Sequence, residues 1–110
     1  MARYTNLFTA IGSTLDLKQS VMRVFQDCGL SLVYETKDYL VAKEKPGQVA
    51  FSKLATVEVL INPTVNDEID ARVNLVVKNE ELPIHRDNHC QQVFSTVNQA
   101  IASIDAWNPA

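Results

Sequence analysis

The sequence predicts an α+β fold: one two-layer domain in which two helices cover one face of an antiparallel sheet of four to five strands. Three observations lead there. Residues 69–78, IDARVNLVVK, place Ile69, Ala71, Val73, Leu75 and Val77 on one side of a strand, and Asp70, Arg72, Asn74, Val76 and Lys78 on the other. That period of two means one face is buried and the other is not. Two further stretches, 14–28 and the segment after residue 88, repeat apolar residues at helical spacing. Since every element has a single apolar face, helices and sheet must cover one another.

Taken in order, LFTAIG at 7–12 reads as a short strand or ordered arm broken by Gly12 and Ser13. Ser13 is an N-cap candidate, with Asp16 near the positive end of the helix that follows. Leu17, Val21, Val24, Phe25 and Cys28 form its apolar stripe, and Gly29 supplies a left-handed stop. LSLVYE at 30–35 and YLVAKE at 39–44 are strands flanking a polar TKD turn, but imperfect alternation leaves their register open. The PG pair at 46–47 is a turn, and 48–54 either pairs back or loops out. ATVEVLIN at 55–62 is a strand, 62–68 a turn cluster, and 69–78 the clearest strand. The second helix carries Cys90, Phe94, Val97, Ile101 and Ile104 on its stripe, widened by Val93 and Ala100, with Trp107 continuing near that face. This order of elements looks like the helix-grip or TBP-like arrangement, a likeness of architecture that implies no function.

The chain has 110 residues, enough for one domain that buries roughly two-thirds of its unfolded surface. Hydrophobic residues at 46% and charged residues at 21% exclude a disordered segment. No apolar run approaches a membrane span, and the N-terminus lacks the continuous apolar core of a signal peptide, so a cytoplasmic location is expected. There Cys28 and Cys90 would be free thiols. A net charge of −3, with ten scattered lysines and arginines, argues against a nucleic-acid surface.

Residues 85–92, HRDNHCQQ, contain both histidines and one of the two cysteines. If the segment is helical, His85 and His89 share a face as in metal-binding helices, but no third ligand of suitable spacing accompanies them. If the helix begins after His85, the pairing dissolves. Cys90 in a first turn could be an activated thiolate. Its place on the apolar stripe instead makes it a small core residue. Asp87 or Asn88 caps the helix, with Gln91 in capping-box position relative to Asn88. The simpler reading is a capped helix with solvated histidines and a buried thiol.

Three glycines, Gly12, Gly29 and Gly47, stand too far apart for a phosphate-binding loop, and no cofactor is expected. Asp67, Glu68 and Asp70 lack the spacing of a calcium loop, and Glu80 and Glu81 are not placed against other acids by sequence alone. Lys43, Lys45 and Lys53 around Phe51 make a weak anion-binding candidate. The outer sheet face carries more signal. If Val57, Val59, Val73 and Leu75 face the helices, Thr56, Glu58, Leu60, Arg72, Asn74 and Val76 face out, joined by Tyr39, Val41 and Lys43 for one choice of register. A contiguous patch of Tyr39, Val41, Leu60 and Val76 would mark an interface. The expectation is a non-enzymatic binding module that docks another protein or a second copy of itself. The rivals are a small enzyme or carrier using Cys90, His85 and His89, and, disfavoured by charge, single-stranded nucleic acid on the sheet.

Overall fold

The computed structural model describes residues 1–47, 50, 53–64, 67–81, 88–104 and 107–109. The elements are β1 (Ala2–Ile11), α1 (Thr14–Asp27), β2 (Leu30–Glu35), β3 (Tyr39–Glu44), β4 (Thr56–Thr64), β5 (Asp67–Asn79), α2 (His89–Ala102) and β6 (Trp107–Pro109). The class is α+β. The strands form one antiparallel sheet ordered β2-β3-β4-β5-β1-β6. Helix α1 lies over β2 and β4, and α2 over β5 and β1. Among the described residues, no helix is long and apolar enough to cross a membrane.

Alternation decides which face the helices cover. Val57, Val59, Ile61, Val73, Leu75 and Val77 on β4 and β5 are all fully buried. Leu17, Val21, Val24 and Phe25 of α1, and Cys90, Val97 and Ile101 of α2, close on them. Each such side chain gains roughly 1.5–3 kcal/mol by leaving water, which is why the helices settle on this face. The helix ends follow local chemistry. Ser13 accepts a hydrogen bond from the Asp16 amide at 3.2 Å, and Gly29 adopts a φ of 73° just after α1, a left-handed turn that favours glycine.

Several sequence expectations need correction. The first strand is not confined to 7–12 but runs Ala2–Ile11, ten residues paired along β5 from Ala2↔Asn79 to Ile11↔Asp70. Its inward positions include small Ala2 and polar Asn6, which hide the alternation. Asn6 is satisfied there by donating to Asn98 Oδ1 on α2 at 2.7 Å. The expected turn at 62–68 is narrower, because β4 continues to Thr64 and β5 starts at Asp67, with a bulge between Pro63 and Thr64. Trp107 does not extend the α2 stripe. The helix ends at Ala102, and Trp107 opens the three-residue β6, buried against Phe8 with ring centroids 6.3 Å apart. That strand covers the edge of β1 over Phe8–Ala10, a common way to protect an edge. Within 48–54, residues 48, 49, 51 and 52 lie outside the described residues, Phe51 among them.

Strands β2 and β3 resolve the open register. Leu30 pairs with Glu44 and Leu32 with Ala42, but Tyr34 pairs with Val41, so a bulge falls between Leu32 and Tyr34. An extra residue shifts every later side chain to the opposite face. Tyr34 therefore leaves the helix side and meets Tyr39 edge-on, centroids 6.1 Å apart.

Candidate functional site

The sheet face away from the helices is open: no described element lies over it. The pairings arrange it in four rows that cross the strands. The first is Arg3–Lys78–Thr56–Lys43–Ser31. The second is Thr5–Val76–Glu58–Val41–Tyr34, the third Leu7–Asn74–Leu60–Tyr39, and the fourth Thr9–Arg72–Asn62. The next pair, Ile11 with Asp70, lies beyond them by register. The nine residues expected on the outer face lie there: Tyr39, Val41, Lys43, Thr56, Glu58, Leu60, Arg72, Asn74 and Val76 share this surface.

The patch is contiguous around a polar centre. Tyr39 stands directly opposite Leu60, Val41 opposite Glu58, and Glu58 opposite Val76. Glu58 accepts a hydrogen bond from the Tyr39 hydroxyl and pairs with Lys78 Nζ at 3.0 Å. Partial burial alone would raise the Glu58 pKa, but the hydrogen bonds from Tyr39 and Lys78 and the charges of Lys78 and Arg3 outweigh it and hold the carboxyl below the ordinary range. The same bond, with desolvation and the carboxylate's charge, pushes the Tyr39 phenol up to about 12. An open trough of about 430 Å³ runs over this centre, lined by Arg3, Thr5, Tyr39, Glu58, Leu60 and Val76, among others.

Sequence reasoning misses part of this surface. Arg3 and Thr5 depend on β1 starting at Ala2, and Tyr34 on the bulge. The break in alternation at Val33-Tyr34 is the one signal that could have revealed the bulge. Lys45 and Lys53 are exposed and lie off the trough, on the segment between β3 and β4.

The described residues of the HRDNHCQQ stretch form the cap and first turn of α2. Helix α2 starts at His89 with Asn88 as its cap, so no helical face joins His85 to His89; His85 and Asp87 lie outside the described residues. Asn88 Oδ1 accepts from the Gln91 amide at 2.8 Å, and its side-chain amide donates to Tyr4 Oη at 2.8 Å. A second acceptor is unforeseen by sequence. Glu81 takes the Cys90 amide at 2.9 Å and the His89 amide at 3.3 Å, placing a negative charge at the helix's positive end. Asn79 holds that carboxylate in place from within β5. Desolvation would raise the Glu81 pKa, yet these hydrogen bonds and the charge of Lys53 bring it below the ordinary range.

Cys90 is fully buried, its sulfur 3.4 Å from Val77 O and 3.7 Å from Ala2 O. Burial, followed by the charges of Glu81 and Glu44, pushes its pKa up to about 11, which keeps it a thiol. His89 Nε2 lies 2.6 Å from Glu44 Oε1, a carboxylate that also accepts the Ala55 amide at 2.8 Å. This pair borders a hollow of about 210 Å³ between the helices and the β2–β3 end of the sheet, with Cys28, Leu30, Val93 and Val97 on its walls. The Cys28 thiol is also pushed up, by desolvation and then by Asp27. Both cysteines are free. Among the described residues no group of three or more histidine, cysteine, aspartate or glutamate side chains could hold a metal ion.

The sequence matches no protein-family model, and no curated protein shows significant similarity to it.

Proposed function

We propose that this chain is a non-enzymatic binding module that docks a partner protein on its open sheet face. The observation that carries the reading is the trough of about 430 Å³ at the middle of an uncovered face, with Leu60, Val76 and Tyr39 around the Glu58–Lys78 pair. Apolar residues flank that pair, with the exposed charges of Arg3, Lys43 and Arg72 further out, a mixed surface of the kind that protein interfaces use. The polar centre is already satisfied within the sheet, so a partner would not have to neutralise a buried charge. A cytoplasmic setting goes with this reading, since two free thiols are the state that compartment maintains.

The test pairs size-exclusion chromatography and light scattering with partner capture, using Leu60→Lys and Val76→Lys. Leu15→Lys serves as the control, at a 63% exposed position on α1. The reading expects binding or self-association to be lost in both sheet variants and kept in the control. A monomer whose captured partner is insensitive to both lysines contradicts it. The thiol and histidine rival is weakened by the burial of Cys90, and rapid native-state labelling of that residue would revive it.

A further inference from the structure

The geometry points to an acidic protein segment as the occupant of the open face: an extended stretch with carboxylates at both ends and aliphatic side chains between. This inference rests on the docking role proposed above and adds the chemistry of the partner.

The observation is a segregation of charge. The chain carries a net charge of −3. By register, however, the open face carries Arg3, Lys43, Arg72 and Lys78 against Glu58 and, at its far end, Asp70, a net charge of +2. Everything off that face therefore sums to −5. Arg3, Lys43 and Arg72 are exposed, and Lys78 is already paired with Glu58. A surface of one sign on a molecule of the other selects partners by complementarity and steers their approach.

Placement sets the spacing. Arg3, Lys78 and Lys43 share the first row, and Arg72 lies in the fourth. Same-face neighbours along a strand are about 6.7 Å apart, so the two cationic rows are separated by about 20 Å. An extended chain covers that distance in about six residues. Between the rows lie Leu7, Leu60, Val41 and Val76, which favour aliphatic contacts.

Two other occupants fit less well. A second copy docked face to face would set +2 against +2 in a self-complementary interface, which is repulsive. Single-stranded nucleic acid needs rings that offer parallel faces to successive bases. The only aromatic rings in the four rows are Tyr34 and Tyr39, and they meet at 65°. The aliphatic rows between the cations give a continuous phosphodiester chain nothing to bind.

The experiment titrates the full chain into a fluorescein-labelled peptide with two glutamates at each end and alternating valines and threonines between. A matched peptide carries lysines in place of the glutamates, and an oligothymidylate of similar length serves as the third probe. The inference expects the acidic peptide to bind at least about tenfold more tightly than the lysine peptide. It also expects a loss of at least about tenfold on raising salt from about 50 to about 500 mM. The double change Arg3→Glu with Arg72→Glu should weaken binding by a similar factor, with folding checked by circular dichroism. Leu60→Asn with Val76→Asn perturbs the same face without altering charge. If those asparagines weaken binding but salt and charge reversal do not, the docking face stands and the acidic partner is overturned. If neither pair of changes has an effect, the peptide binds elsewhere and the docking face falls as well. No binding of the acidic peptide, or tighter binding of the oligothymidylate, overturns the acidic partner.

Discussion

The two faces of the sheet are made from the same strands but from different side chains. On β5, Val73, Leu75 and Val77 point to the helices and are wholly buried, whereas Arg72, Asn74, Val76 and Lys78 on alternate positions remain accessible to differing degrees. The covered face is almost entirely aliphatic and aromatic. The open face mixes aliphatic residues with four cations, two carboxylates, and threonine and asparagine. The covered face obtains its energy from burial within the chain, which leaves nothing for a partner to bind. The open face could have been made uniformly polar, as a solvated sheet surface usually is. Its Leu7, Val41, Leu60 and Val76 are what set it apart from such a surface.

The sharpest way to break this contrast is to truncate the same residue type on each face. Leu75→Ala should lower unfolding free energy by about 2–5 kcal/mol in urea denaturation, and Leu60→Ala by less than about 1.5 kcal/mol. Equal losses would mean that the open face also serves as core. Glu81→Ala comes next. It removes the acceptor for two amides of α2 and a partner of Asn79, and should cost about 1–2 kcal/mol by the same assay. A neutral result would show that Asn88 suffices as the cap.

Cys90 allows a test by pH. Its folded pKa of about 11 lies above the ordinary thiol value of 9.0, so the fold favours the protonated form. That contribution is fully present below pH 9 and is lost as pH rises through 11. Urea midpoints should fall over this window, and more steeply in the native chain than in Cys90→Ala. Identical slopes would place the thiol in contact with water. The smallest effect belongs to the open face: Glu58→Gln should change stability by less than about 1 kcal/mol, since its ion pair with Lys78 is partly exposed. A larger loss would make the Tyr39–Glu58–Lys78 group a structural element rather than part of a docking surface.

Much of the fold is legible in the sequence because local signals and burial agree. The helix spacing from Leu17 to Cys28, the stop at Gly29 and the alternation of residues 69–78 all give the element that forms. What escapes is decided by pairing between distant strands. Strand β1 is disguised by Asn6, whose partner Asn98 is 92 positions away. The three residues of β6 are too few to show a period. Tyr34 changes face because of one bulge, and Arg3 joins the cationic row only through its register with Lys78. The outward residues of β3, β4 and β5 follow from alternation, while the concentration of positive charge on that face requires the strand order.

The central claim is that partners dock on the open face and leave the covered one untouched. Methyl-resolved NMR tests it most directly, because backbone amides of a strand report both faces whereas methyl groups report one. On adding the glutamate-flanked peptide, the methyl signals of Leu7, Val41, Leu60 and Val76 should shift, while those of Val59, Val73 and Leu75 stay in place. Shifts concentrated in α1, α2 or the inward valines, with Leu60 and Val76 unmoved, would contradict the account.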